Sequence, residues 1–162
     1  MIILNKTLLI LGGILVFLLL GSIIYLKANP PLEANGISFY PDDKTKRVIE
    51  ITNFGLANIN LENVLVNGNN SENVELGISR TNHMVVGAGL DKDPYITFHK
   101  INELEIHPAL PLDELNELNE MDDRRIIKHY GLRTFGNEVP EKITIKYTYL
   151  FIPYSLDVDV TE

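Results

Sequence analysis

The sequence predicts a mainly β protein with an N-terminal transmembrane helix, followed by an antiparallel β-sandwich that carries one inserted helix at about residues 112–130. Three observations predict it. Residues 7–26 hold no charged side chain. Most of the remainder alternates apolar and polar residues, with turn residues every 8–12 positions. A single stretch before the last long strand instead follows the helical period of 3.6.

The run from Thr7 to Leu26 (TLLILGGILVFLLLGSIIYL) is long enough to cross a bilayer, since twenty residues at 1.5 Å rise give about 30 Å. Lys6 and Lys27 bracket it, and Tyr25 sits where an amphipathic ring favours the interface. A cleaved secretory signal has a shorter apolar stretch and ends in small residues, whereas this one runs into Leu26-Lys27-Ala28-Asn29. The expectation is an uncleaved anchor, with residues 1–6 as a cytoplasmic tail and the bilayer as partner of residues 7–26. Lipoprotein processing is excluded, because the chain has no cysteine. A helix apolar on every side is not the half-buried helix of a small soluble protein. A span beginning so near the terminus usually leaves its tail in the cytoplasm, so the domain is expected outside it. Gly12, Gly13 and Gly21 stand four residues before Val16, Phe17 and Tyr25, which leaves no small-xxx-small face for helix pairing.

Residues 27–35 (KANPPLEAN) are expected to form a stalk, stiffened by Pro30-Pro31. The predicted domain covers 36–162. In Arg47–Thr52, Ile49 and Ile51 share one face, opposite Val48, Glu50 and Thr52. Asn53-Phe54-Gly55 supplies turn chemistry, and Asn58–Val66 follows as a strand with Ile59 and Leu61 inward. Asn67-Gly68 is a hairpin signal, because both central positions of a type I′ turn require positive φ, and the run Asn69-Asn70-Ser71 equally allows a longer loop. Val74, Leu76 and Ile78 alternate in the next strand, His83–Gly87 forms a short one, and Tyr95–His99 starts after Pro94. Ile143, Ile145, Tyr147, Tyr149 and Phe151 share one face of a long strand. The apolar parity then switches to Tyr154, Leu156, Val158 and Val160, so a bulge or bend is expected at Pro153.

The inserted helix runs from Pro111 towards Tyr130. Leu115, Leu118, Met121 or Asp122, Ile126 and Tyr130 make its apolar stripe. Asp113, Glu114, Glu117 and Glu120 come early and Arg124, Arg125, Lys128 and His129 late, which complements a helix dipole; Gly131 is placed to close it.

The stretch Val48-Ile49-Glu50-Ile51-Thr52-Asn53-Phe54-Gly55-Leu56-Ala57-Asn58-Ile59, an alternating strand ending in Asn-x-Gly before another strand, resembles the opening of bacterial extracytoplasmic immunoglobulin-like domains. The resemblance covers twelve residues and implies an immunoglobulin-like sandwich in a group of binding and spacer modules. The inserted helix departs from that group's usual pattern.

Composition removes several function classes. Without cysteine there are no disulfides, thiolate metal sites or cysteine nucleophiles. The residues after Leu26 keep all 22 acidic side chains and lose one basic one, Lys6, so their net charge is −9 against −8 for the whole chain. That balance argues against nucleic acid and against a polybasic lipid-binding surface. Gly87-Ala88-Gly89 lacks the third glycine of a dinucleotide loop, and Asp93-Pro94 follows where a helix should begin.

Asp91 and Asp93 share a loop and are weak candidates for a calcium site of oxygen ligands, although the EF-hand pattern fails around them. Asp42-Asp43 and Asp157/Asp159 read as solvated pairs. His83, His99, His107 and His129 lack zinc-site spacing and read as structural, and no serine sits in a G-x-S-x-G or S-x-x-K context. Tyr147, Tyr149 and Phe151 read as core. No catalytic residue and no cofactor is predicted. The expected role is a non-catalytic binding or assembly module of the cell envelope, with a protein or cell-wall partner. The rival is an anchored envelope hydrolase with a convergent site, and a third possibility is a freely secreted domain.

Overall fold

In a computed structural model, residues 2–87, 93–120 and 124–161 are described. The chain divides into two compact units, Met1–Pro30 and Pro31–Glu162. The first is the helix α1 (Ile2–Ala28), whose window Ile10–Ala28 is long and apolar enough to cross a membrane. Its apolar side chains are exposed, Phe17 by 77 % and Ile24 by 70 %. Asn29 ends the helix by donating its backbone and side-chain N–H groups to the Tyr25 carbonyl, at 3.1 and 2.9 Å. Both predicted span ends, Thr7 and Leu26, fall inside α1, as do Lys27 and Ala28 from the predicted stalk. Only Asn29–Pro31 separates α1 from the first strand.

The second unit is built from two antiparallel sheets. Its strands are β1 (Leu32–Tyr40), β2 (Asp43–Asn53), β3 (Ile59–Val66), β4 (Asn69–Asn70), β5 (Val74–Ser79), β6 (Ile96–Lys100), β7 (His129–Thr134), β8 (Lys142–Tyr149) and β9 (Ile152–Asp159), with the helix α2 (Leu112–Glu120) between β6 and β7. One sheet has the order β1-β2-β7-β5-β6 and the other β4-β3-β8-β9. The apolar core follows the alternation in both. Ile49, Ile51, Leu76, Ile78 and Leu132 line one sheet, and Ile59, Ile143, Ile145 and Tyr147 the other, all nearly or fully buried. Tyr147 stacks on Tyr154 with centroids 5.3 Å apart, and burial pushes its phenol up to about 12. A bulge between Leu61 and Asn63 shifts the parity of β3, so that Val64 points inward after Leu61.

The structure corrects the sequence reading at four places. The inserted helix ends by Glu120, not near residue 130, and His129–Thr134 is a strand at the centre of the first sheet. Gly131 therefore caps nothing: it pairs with Glu50 on one side and Gly77 on the other. Helical spacing and sorted charge described the segment locally, but two-sided strand pairing of Tyr130–Thr134 overrode them. Residues 32–40, read partly as stalk, form the edge strand β1. An edge strand hydrogen-bonds on one side only, and this one lacks a clear apolar alternation and shifts register twice.

His83–Gly87 is not a strand. It folds back over the outer face of the first sheet, where Val85 packs with Val48 and Ile96 beside Tyr40 and Phe98. β2 is consequently buried on both faces over Val48–Ile51, including Glu50 at 2 % exposure. Finally, the parity switch between β8 and β9 is made by a two-residue turn at Leu150-Phe151 and not at Pro153. Phe151 leaves the core stripe and is 99 % exposed. Pro153 sits within β9, where an edge strand tolerates the missing donor.

Two glycines set how close that cover lies. A Cβ on Gly131 would stand 2.7 Å from Val85 Cγ1 and 3.1 Å from the Ile49 carbonyl, and one on Gly77 would stand 2.7 Å from the same Val85 methyl. Gly131→Ala is expected to destabilise the protein by about 1–3 kcal/mol through overpacking. The urea midpoint of the detergent-solubilised chain measures this, and an unchanged midpoint would contradict the close packing of Val85.

Candidate functional site: a polar cleft and a buried carboxylate–histidine pair

Strand directions give the second unit two ends. The entry end carries Pro31, the Asn53–Ile59 connection, the β8–β9 turn and the start of β7. The far end lies about 25 Å away, since strands of eight residues rise about 3.3 Å per residue. It carries the β3–β4 turn, the connections after β4 and β7, and the residues after β9.

The far end holds a cleft of about 330 Å³, floored by Thr45, Val66 and Thr134 and walled by Asn69, Asn73 and Asn137 among others. The Asn67-Gly68 turn positions one wall. Both residues have positive φ (50° and 85°), and the Asn67 side chain donates to the Val139 carbonyl at 3.0 Å and accepts from Glu141 N–H at 2.8 Å. The opposite wall is tied in by Phe135 N–H donating to the Asn73 carbonyl at 3.1 Å. The hydroxyl of Thr134 is buried in this lining with no hydrogen-bond partner among the described residues. Among the described lining residues the ionisable one is Glu138, which is exposed. Amides, hydroxyls and backbone groups of this kind can hydrogen-bond a neutral polar ligand.

A second arrangement lies beneath the His83–Gly87 cover. Glu50 Oε1 is 3.3 Å from His129 Nδ1, and Oε2 accepts Val86 N–H at 3.0 Å. Ser79 pairs with His129 across β5 and β7, which places carboxylate, imidazole and hydroxyl on one sheet face. Ser79 is fully buried, however, and its hydroxyl is engaged with Thr81 at 3.2 Å. The sequence places His129 at the end of the expected helix and Glu50 on the strand face opposite Ile49 and Ile51; the alternation of β2 and β7 is the signal that could have joined them.

Of the two weak metal candidates, Asp91 lies outside the described residues. Asp93 contacts His83 Nδ1 through Oδ2 at 3.1 Å and accepts Tyr95 N–H through Oδ1 at 2.8 Å, so both of its oxygens are engaged within the protein. Among the described residues no group of three His, Cys, Asp or Glu side chains could hold a metal. His107 contacts Asn58 at 3.0 Å and His99 contacts Thr97 at 3.1 Å. The Asp157 carboxylate, on the polar face of β9, meets Lys142 at 2.7 Å and Thr144 at 2.6 Å. Comparison of the chain with known protein families, with curated proteins and with solved structures finds no match.

Four carboxyls are held below the usual 3.8: Asp93 by its hydrogen bonds to His83 and Tyr95, Asp157 by those to Lys142 and Thr144, Asp159 by Thr161, and Asp43 by Thr45. As pH falls, the unfolded chain takes up these protons first. Their contribution is therefore fully present above about 3.8 and lost as pH drops through the lower folded values. The urea midpoint should decline with acidification below about pH 4, and Asp157→Asn should remove part of that decline. A midpoint flat from pH 5 to 2 would contradict the assignment.

Proposed function

We propose that the protein is a membrane-anchored, extracytoplasmic binding or assembly module of the cell envelope, non-catalytic, in which an immunoglobulin-like sandwich presents the far-end cleft to a neutral polar partner. The observation that carries this reading is the cleft itself, lined by amides and hydroxyls at the end of the unit opposite the chain's entry. The unpartnered Thr134 hydroxyl gives a ligand one buried group to satisfy.

Strand order supports the sandwich assignment. Taken as A, B, E and D, the strands β1-β2-β7-β5 have the order of one immunoglobulin sheet, and β4-β3-β8-β9 have the order C′-C-F-G of the other. β6 and α2 then form an insertion between D and E. The long apolar helix supports the anchor, with its tail in the cytoplasm and the sandwich outside. The partner is a protein or cell-wall component of uncharged, hydrogen-bonding chemistry.

The rival reading, an anchored envelope hydrolase, is favoured by one observation, the Glu50–His129 pair with Ser79 on the same face. It would require the His83–Gly87 cover to lift.

A photo-crosslinker at the exposed Asn137, at the cleft mouth, tests the binding reading in intact cells. Crosslinking of an envelope component from Asn137, and not from a matched label at the exposed Glu33 on β1, is the expected result. Labelling that is absent at Asn137 or equal at both positions would overturn it. Turnover of envelope substrates that His129→Ala abolishes would install the hydrolase.

A further inference from the structure

At the entry end, two short connections carry large apolar side chains into solvent. Phe54 is 58 % exposed and Leu56 96 %, while Leu150 is 46 % and Phe151 99 % exposed. These four belong to one rim. Phe54 N–H donates to the Pro31 carbonyl at 2.8 Å, and Leu56 N–H donates to the Tyr149 hydroxyl at 3.0 Å. Gly55 sits wedged between Tyr149 and Pro31; a Cβ there would come within 2.8 and 2.9 Å of them. Tyr149 pairs with Ile152, so Leu150 and Phe151 form the turn just beyond it.

That turn is costly as built. Leu150 and Phe151 have φ of 50° and 63°, the left-handed region that Asn67-Gly68 occupies at the far end with residues suited to it. Two large apolar residues thus hold strained backbone in order to stand in water. Isolated exposed apolar side chains are ordinary, but a cluster of four on strained and wedged loops marks a contact surface.

We propose that this rim inserts into the interfacial layer of the bilayer from which the chain emerges, so that the sandwich is seated on the lipid and not merely tethered to it. The proposal rests on α1 spanning the membrane. Chain length carries it: from Ala28, the last residue of α1, to Pro31, which the Phe54 loop grips, there are three peptide links, or about 11 Å fully extended. The polar layer outside a bilayer's hydrocarbon core is itself about 5–8 Å deep, so so short a connection cannot carry the rim clear of it by much. The four rim residues are uncharged, and Glu105 at this end is held by Asn58, which donates to it at 2.6 Å. The attraction is therefore apolar, and it needs no anionic lipid.

The chain contains no tryptophan, so single substitutions give clean reporters. Full-length Phe151→Trp and Leu56→Trp, reconstituted in phosphatidylcholine vesicles, are expected to show blue-shifted emission. Lipids brominated near the headgroup end of the acyl chain should quench it, and added salt should leave it unchanged. Phe17→Trp, near mid-span, should be quenched by lipids brominated deep in the acyl chain, and Asn137→Trp by neither lipid. If Phe17→Trp is quenched while both rim reporters emit as in water, the proposal fails and the anchor stands. A rim reporter that is blue-shifted but unquenched also overturns it, in favour of a protein seated on the rim. Unquenched Phe17→Trp removes the spanning helix and the proposal together. The two rim reporters lie on different loops, so misfolding of one variant still leaves a decisive measurement.

Discussion

The outer face of the five-stranded sheet depends on an absence of side chains. Gly77 and Gly131 face each other across β5 and β7 and leave a hollow that Val85 fills. A side chain at either position would lift the His83–Gly87 segment off the sheet. With the segment seated, Val48 and Ile96 gain a second apolar cluster, and Glu50 is buried with its carboxylate matched to Val86 N–H and His129. A buried carboxylate without such partners would cost several kcal/mol, so the hollow, the cover and the Glu50–His129 contact stand or fall together.

The other face of that sheet and the second sheet obey simpler rules. Their inward residues are largely a period-two apolar set, and Arg47, Asn53 and Thr134 are buried polar residues among them. Arg47 is 1 % exposed, and its guanidinium donates to the carbonyls of Lys44 at 2.7 Å and Lys46 at 2.9 Å while lying over the Phe39 ring at 4.6 Å. Its Nε reaches the Val160 carbonyl at 3.4 Å, linking the start of β2 to the end of the chain's last strand region. This contact helps define the far end, where the cleft lies.

The two ends of the sandwich differ in chemistry as well as position. Asparagines, threonines and backbone groups gather at the far end, and its hairpin uses residues suited to positive φ. Large apolar residues gather at the entry end, and its hairpin accepts strain to display them. Such polarity fits a module that meets lipid at one end and a polar partner at the other, and it is the physical basis of the proposed role.

Much of this was legible in the chain's pattern. The uncharged run after Lys6 is legible as a helix long and apolar enough to cross a membrane, because twenty apolar residues offer no competing periodicity. β3, β5 and β8 were equally plain, since alternation and turn residues act within a few positions, and Asn67-Gly68 signalled a turn through its positive-φ residues while leaving a longer loop open. What pairing partners decide was hidden. The segment His129–Thr134 is helical by spacing and charge, yet it becomes the central strand because β2 and β5 offer it hydrogen bonds on both sides. β1 has no apolar rhythm because it lies at an edge and answers to one neighbour. Phe151 matches the core stripe of β8 in sequence, but a two-residue turn puts it in water. The cleft, the apolar rim and the Glu50–His129 pair each join residues tens of positions apart. Separations of that kind carry no periodic signal, so only the folded chain brings those groups together.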